Sequence, residues 1–149
     1  MKPFKFKLQT VQSLAERQEQ LAREELARCI NIRNQIRQEL ELAVSRLTQM
    51  EELIKAYTET GRSLARILLI KDYIPVQRSV INETEERLKL AEEEVEKARQ
   101  MLQERSRETN TLEKLHEKEW HSYLQEFNRE EQKIVDEMAI NRYYRTGQR

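Results

Sequence analysis

Residues 26–68 read LARCINIRNQIRQELELAVSRLTQMEELIKAYTETGRSLARIL. Stepping alternately by three and four from Leu26 meets Cys29, Arg33, Ile36, Leu40, Ala43, Leu47, Met50, Ile54, Tyr57, Gly61, Leu64 and Leu68. Only Arg33 and Gly61 break the apolar pattern. A repeat of 3.5 residues held this long marks the narrow seam of a coiled coil. A helix of a globular bundle shows a wider apolar face. The positions around the seam carry Glu, Gln, Arg and Lys, as a solvated helix pair requires.

The second half repeats the spacing through Ile81, Thr84, Leu88, Ala91, Val95, Ala98 and Leu102. It weakens at Arg105 and Thr109, and Thr109, Leu112, His116 and Trp120 are spaced 3-4-4. Such a stutter predicts a locally unwound supercoil, with Trp120, Leu124, Phe127, Ile134 and Met138 in a shifted register. Between the halves lies the break material. Gly61 suits the C-cap of a first helix. Asp72 and Pro75 suit the start of a last one. The expected fold is all-α: an antiparallel two-helix coiled-coil hairpin, one domain over 1–149. It has a helix over 5–59, a connector over 60–74 with a short helix at 62–71, and a helix over 75–143. If a continuous helix absorbs Gly61, the turn falls at 72–75 alone.

Composition excludes the alternatives. The 149 residues include 2 Gly, 2 Pro, 2 Asp and 6 Asn, too few turn formers for a sandwich, barrel or doubly wound sheet. One cysteine makes no internal disulfide. The longest aliphatic run, Ile67-Leu68-Leu69-Ile70, is far below the roughly 20 apolar residues of a membrane helix. Lys2, Lys5 and Lys7 precede no apolar run, so no signal peptide is expected. Net charge is zero, yet residues 1–75 hold 13 bases and 10 acids and residues 76–149 hold 14 and 17. Opposite signs favour pairing of the halves. Antiparallel pairing is expected to gather Lys2, Lys5, Lys7, Arg142, Arg145 and Arg149 at one end. The seven acids between Glu83 and Glu96 form a solvated helix face or a docking surface.

Catalytic chemistry is sparse. The two glycines are 86 residues apart, so there is no phosphate loop. Glu113-x-x-His116 has the spacing of carboxylate-bridged di-iron bundles, but the first helix has no histidine to supply the second motif. A half-buried His116 on the seam fits better, and no cofactor or metal is expected. Cys29, on a seam position, reads as a small hydrophobe. The basic end is diluted by Glu130, Glu131, Asp136 and Glu137, so nucleic acid is not an expected partner. A helix pair with no pocket makes a poor enzyme, so on these grounds the expected function is to bind, space or transmit between partners.

Two stretches add to this. One is Phe4-x-Phe6-x-Leu8-x-x-Val11-x-x-Leu14, followed by Arg17. The other is Glu131-Gln132-Lys133-Ile134-Val135-Asp136-Glu137-Met138-Ala139-x-x-Arg142, preceded by Lys114-Leu115. Together they resemble the FliJ family of flagellar export proteins, over essentially the whole chain. The resemblance implies a non-enzymatic, cytoplasmic antiparallel coiled coil, peripheral to the inner membrane at the base of the flagellar export apparatus. It implies a central stalk that promotes assembly or activity of the hexameric export ATPase (FliI-like) and contacts the export gate (FlhA-like). Export chaperones are further candidate partners, and virulence secretion stalks share the architecture. No direct membrane insertion is implied.

By that analogy the terminal end enters the ATPase ring. The candidate ring contacts are Phe4, Phe6, Leu8, Val11, Lys133, Asp136, Glu137 and Arg142. Phe4, Phe6, Leu8 and Val11 are expected to face Ile134, Met138, Tyr143 and Tyr144, or simply to cap the seam. Lys133 and Glu137 could equally form an i,i+4 pair. The mid-chain tip faces the gate, with candidates Leu53, Tyr57, Ile70, Tyr73, Ile74, Val76 and Val80. The whole motif Tyr73-Ile74-Pro75-Val76 is expected to be exposed there, and Pro75 departs from some relatives.

Overall fold

The computed structural model describes residues 1–61 and 63–147. Nearly all of them lie in two helices, α1 at Gln9–Glu59 (51 residues) and α2 at Leu64–Gly147 (84 residues). No strand occurs among the described residues. The chain divides into two compact units, each taking a part of both helices. The terminal unit is Met1–Gln20 with Glu104–Arg149, and the middle unit is Leu21–Gln103. In the middle unit Arg37 pairs with Glu92 at 3.5 Å, Arg87 with Glu39 at 2.9 Å and Arg78 with Glu51 at 3.8 Å. Partner numbers fall on α2 as they rise on α1, so the pairing is antiparallel as expected.

α1 begins at Gln9 rather than residue 5, the Leu8 carbonyl accepting the Gln12 N–H at 2.8 Å. It closes where the glycine signal placed its end. The Thr60 N–H and Oγ1 both donate to the Ala56 carbonyl, at 3.0 and 2.8 Å. Gly61 follows with φ +66°, the left-handed geometry that an L side chain disfavours.

The connector is the main correction. Residues 64–74 are not a separate piece but the first turns of α2, which starts at Leu64 rather than 75. Ser63 is its N-cap residue, its carbonyl accepting the Ile67 N–H at 3.3 Å. Asp72 caps nothing, and Pro75 lies inside the helix. An interior proline loses one helix hydrogen bond and costs about 3 kcal/mol. Here Pro75 and Lys71 are both exposed, so the break in the ladder lies on the solvent side of the helix. Ile67, Ile70 and Ile74 are half-buried and carry the seam spacing across this stretch, which offsets the loss. Arg62 lies outside the described residues, and α2 ends at Gly147 rather than 143.

In the middle unit every predicted α1 seam position from Leu26 to Tyr57 is buried or half-buried, including Arg33. Gly61, Leu64 and Leu68 are exposed, because the turn ends the pairing first. The seam also alternates in a way its period does not reveal. Ala22, Cys29, Ile36 and Ala43, seven apart, are buried, as are Gln77, Thr84, Ala91 and Ala98 on α2. Leu26, Leu40, Leu47 and Leu88 are only half-buried. Small side chains at one position per heptad let the backbones approach closely. The leucines then lie along the edge of the contact instead of between the helices.

The buried polar groups are satisfied. Gln77 Nε2 donates to the Ala43 carbonyl at 2.9 Å, tying α2 to the backbone of α1. Thr84 Oγ1 returns to the Val80 carbonyl at 2.7 Å. Cys29 packs with Val95, Ala98, Leu26 and Ile30. Burial, then the Glu25 carboxylate 3.7 Å from Sγ, pushes its thiol pKa up. The thiol therefore stays protonated at neutral pH, as its reading as a small hydrophobe requires.

This geometry sets the cost of three substitutions. Gly61→Ala meets no atom within 4 Å, so its cost is the left-handed backbone alone, about 1 kcal/mol. Ala43→Leu should destabilise by about 1–3 kcal/mol through overpacking. Leu47→Ala should cost about 1–2 kcal/mol, below the range for a fully buried leucine. Thermal melts of the three variants check these costs; a neutral Ala43→Leu would mean the helices are not in close contact there.

Candidate functional site

In the terminal unit the extended segment before α1 folds onto α2. Phe6 is buried and Phe4 half-buried. The Phe4 ring meets His116 at 5.5 Å, Trp120 at 5.1 Å and Tyr123 at 5.4 Å, the first two edge to face. Phe6 meets His116 edge to face at 4.9 Å. Trp120, Tyr123 and Phe127 stack along α2, with centroids 5.6 and 6.3 Å apart. Tyr123 Oη donates to the Lys2 carbonyl at 3.0 Å, fastening the strap. Edge-to-face pairs of this kind are worth about 0.5–1.5 kcal/mol each beyond burial. Deeper in the unit Arg105 Nη1 donates to Gln18 Oε1 at 2.9 Å, and Thr109 is buried with its Oγ1 on the Arg105 carbonyl at 3.1 Å.

This changes several expectations. Leu112, His116, Glu119 and Tyr123 are half-buried in unbroken alternate spacing, while Trp120 is 40% exposed beside them. The aromatic strap covers both rows, and half-buried Leu124 and Phe127 carry on the shifted register from Trp120, as expected. His116 is half-buried between the two Phe rings, as the seam reading required. Glu113, Glu117 and His121 are exposed. Among the described residues no group of three or more His, Cys, Asp or Glu could hold a metal ion.

Phe4 and Phe6 do not face Ile134, Met138, Tyr143 and Tyr144. The strap ends opposite Tyr123, and at about 1.5 Å per residue Met138 lies roughly 22 Å further along α2. Every residue from Asn128 to Gly147 is exposed. Lys133, Asp136, Glu137 and Arg142 therefore stand on an unpaired helical extension, apart from Phe4, Phe6 and half-buried Leu8. Val11 is 48% exposed. On the extension Gln132 Nε2 donates to Asp136 Oδ1 at 2.9 Å, in place of a Lys133–Glu137 pair. Lys2 and Lys5 do not gather with Arg142 and Arg145 either. Lys2 and Lys5 line a groove with Lys118, Glu119 and Glu126, Arg142 and Arg145 are on the extension, and Arg149 lies outside the described residues.

The tip candidates lie in the middle unit and split into two sets. Tyr57, Ile70 and Ile74 are half-buried on the seam. Leu53, Tyr73, Val76 and Val80 are 44%, 54%, 50% and 42% exposed. Ile74 is thus not part of an exposed motif, since the helix turns it inward between Tyr73 and Val76. The exposed residues, with Leu69, each immediately precede a seam position. Glu39 and Arg87, which pair across the helices, also precede seam positions; Arg37, Glu92, Glu51 and Arg78 follow them. Residues preceding the seam therefore share one side. Leu53 and the α2 stripe Leu69–Tyr73–Val76–Val80 form one apolar strip across both helices.

The profile of the family described as Flagellar FliJ protein matches residues 4–148. The chain belongs to the FliJ family. None of the curated proteins matches it in sequence. Among solved structures it is similar to the YscO homologue CT670 of Chlamydia trachomatis, with a TM-score of 0.57, 22% identity and 99% of each chain covered. That likeness supports the helical fold.

The FliJ family is one of non-catalytic components of flagellar or type III protein export. No helix among the described residues is long and apolar enough to cross a membrane. Sequence reasoning missed the aromatic latch of Trp120 and Tyr123 and the Gln77 tie. The 4-3-4 spacing of His116, Trp120, Tyr123 and Phe127, opposite a Phe-x-Phe strap, was the available signal for the first. Phe6→Ala should cost about 3 kcal/mol, the low end for a buried Phe. Phe4→Ala should red-shift the emission of Trp120, the chain's one tryptophan, by opening its face to water. Unchanged emission would mean the strap does not cover that ring.

Proposed function

We propose that this protein is the central stalk of a hexameric, FliI-like flagellar export ATPase and links it to a FlhA-like export gate from the cytoplasmic side. FliJ-family membership supports the export role. The observation that carries the stalk reading is the fully exposed extension of α2, residues 128–147. It offers Ile134, Met138 and Tyr143 beside Lys133, Asp136, Glu137 and Arg142, a mixed apolar and polar surface that no other element covers among the described residues. A ring interior can clasp a single helix from all sides. Phe4, Phe6 and Leu8 support that contact as the latch from which the extension emerges. The apolar strip around Leu53, Tyr73, Val76 and Val80 is the surface offered to the gate, since exposed apolar patches of this kind mark contact sites.

A second reading is an adaptor that escorts export chaperones, which the same strip could bind. The two readings part on ATP hydrolysis. Deleting residues 138–149 removes only surface beyond the latch, so the hairpin should stay folded while stimulation of the cognate ATPase is lost. Val76→Asp replaces an exposed side chain and should weaken gate binding, by placing a charge in an apolar contact, while leaving stimulation intact. It is a better probe than a change at half-buried Ile74, which would disturb the seam. Full ATPase stimulation by the truncated chain would sink the stalk reading, and unaltered gate binding by the Val76 variant would remove the strip from it.

A further inference from the structure

We propose that the unpaired end of α2 is also a self-association site, covered in the free protein by the same segment of a second copy running antiparallel. From half-buried Phe127 the apolar row continues in steps of four, four, three and four through Glu131, Val135, Met138 and Arg142. Val135 and Met138 are 56% and 66% exposed, and a groove runs between them, Ala139 and Arg142.

The spacing from Glu131 to Arg142, 4-3-4, is the same read in either direction. Two antiparallel copies related by a two-fold axis between positions 136 and 137 therefore bring like rows into register. Glu131 of each copy meets Arg142 of the other, and Val135 meets Met138. Ile134 meets Ala139 along the flank. At 100° per residue Asp136 and Glu137 point away from this contact, so the carboxylates nearest the axis do not oppose each other. The charge distribution selects the same orientation. Residues 130–137 hold four acids and one base, and residues 138–147 hold Arg142 and Arg145 with no acid. A parallel pair would set Glu131 against Glu131 and Arg142 against Arg142. Isologous two-fold pairing is also the commonest way for one surface to satisfy itself.

About five helical turns make a small interface, in the class below about 1,200 Å² that gives weak, reversible pairs. Self-pairing would hold the apolar row out of water until a partner displaces it, and it does not depend on the stalk reading. The test uses the full chain with no other protein: sedimentation equilibrium at low salt over a range of concentrations. The average mass should rise from 18.0 kDa toward twice that value. Met138→Glu and Glu131→Gln should each weaken the dimer about tenfold or more, with unchanged helicity because both side chains are exposed. Glu131→Arg and Arg142→Glu should each weaken it, and the double variant should recover it. A constant 18.0 kDa mass would overturn the proposal. So would a dimer insensitive to Met138→Glu, which would place the contact elsewhere, and a dimer strengthened by Glu131→Gln, which would mean parallel pairing.

Discussion

The arrangement of this protein depends on one backbone constraint, the left-handed turn at Gly61. With α1 ending at Glu59 and α2 starting at Leu64, the partner of every paired residue is decided. Glu39 meets Arg87 and Arg37 meets Glu92 in the middle unit; Gln18 meets Arg105 and Phe4 meets Trp120 in the terminal unit. Starting α2 at Pro75 while α1 still ended at Glu59 would move each α2 partner by eleven residues. Eleven residues are very nearly three helical turns, so the apolar faces would still coincide. The heptad pattern therefore cannot choose between the two turns. The choice falls to Gly61, to the Ser63 cap, and to Ile67, Ile70 and Ile74, which prolong the seam before the proline.

That choice allots the functional surfaces. The early turn makes α2 much longer than α1, so the strap before α1 reaches only as far as Tyr123, and everything from Asn128 on is left bare. It also draws Leu69, Tyr73, Val76 and Val80 into a paired helix, with one face on α1 and the adjoining face in water. A later turn would have covered the end of α2 and made the tip an irregular loop. The bare extension and the apolar strip are thus two results of one register.

Much of the fold was legible because burial follows period. Each seam residue from Leu26 to Tyr57 and from Ile81 to Leu102 lies where its spacing puts it, Arg33 included, since its aliphatic stem can lie on the seam while its head stays wet. Thr109 and Arg105 looked like a fading signal, but a Thr that bonds its own turn and an Arg that reaches Gln18 can both sit in a contact. The site was less legible. Phe4 and Phe6 were recognisable as an aromatic opening that could cap the seam, yet their partners depend on register, which composition does not encode. Pro75 was misjudged because its cost depends on whether the break in the ladder faces water, a property of the folded helix and not of the residue.

The Gln77 amide on the Ala43 carbonyl has a mechanical meaning. A seam that repeats every seven residues has near-equivalent alignments one heptad away, a slide of about 10.5 Å. Ala, Thr and Cys recur at the close positions and would accept such a slide with little steric protest. The amide resists the movement between those alignments, because leaving the Ala43 carbonyl strands a buried donor until an equivalent carbonyl comes into reach, a loss of about 1–3 kcal/mol. One hydrogen bond thus gives the middle unit a detent against axial shear. Load applied along one helix is passed to the other instead of being lost in slippage.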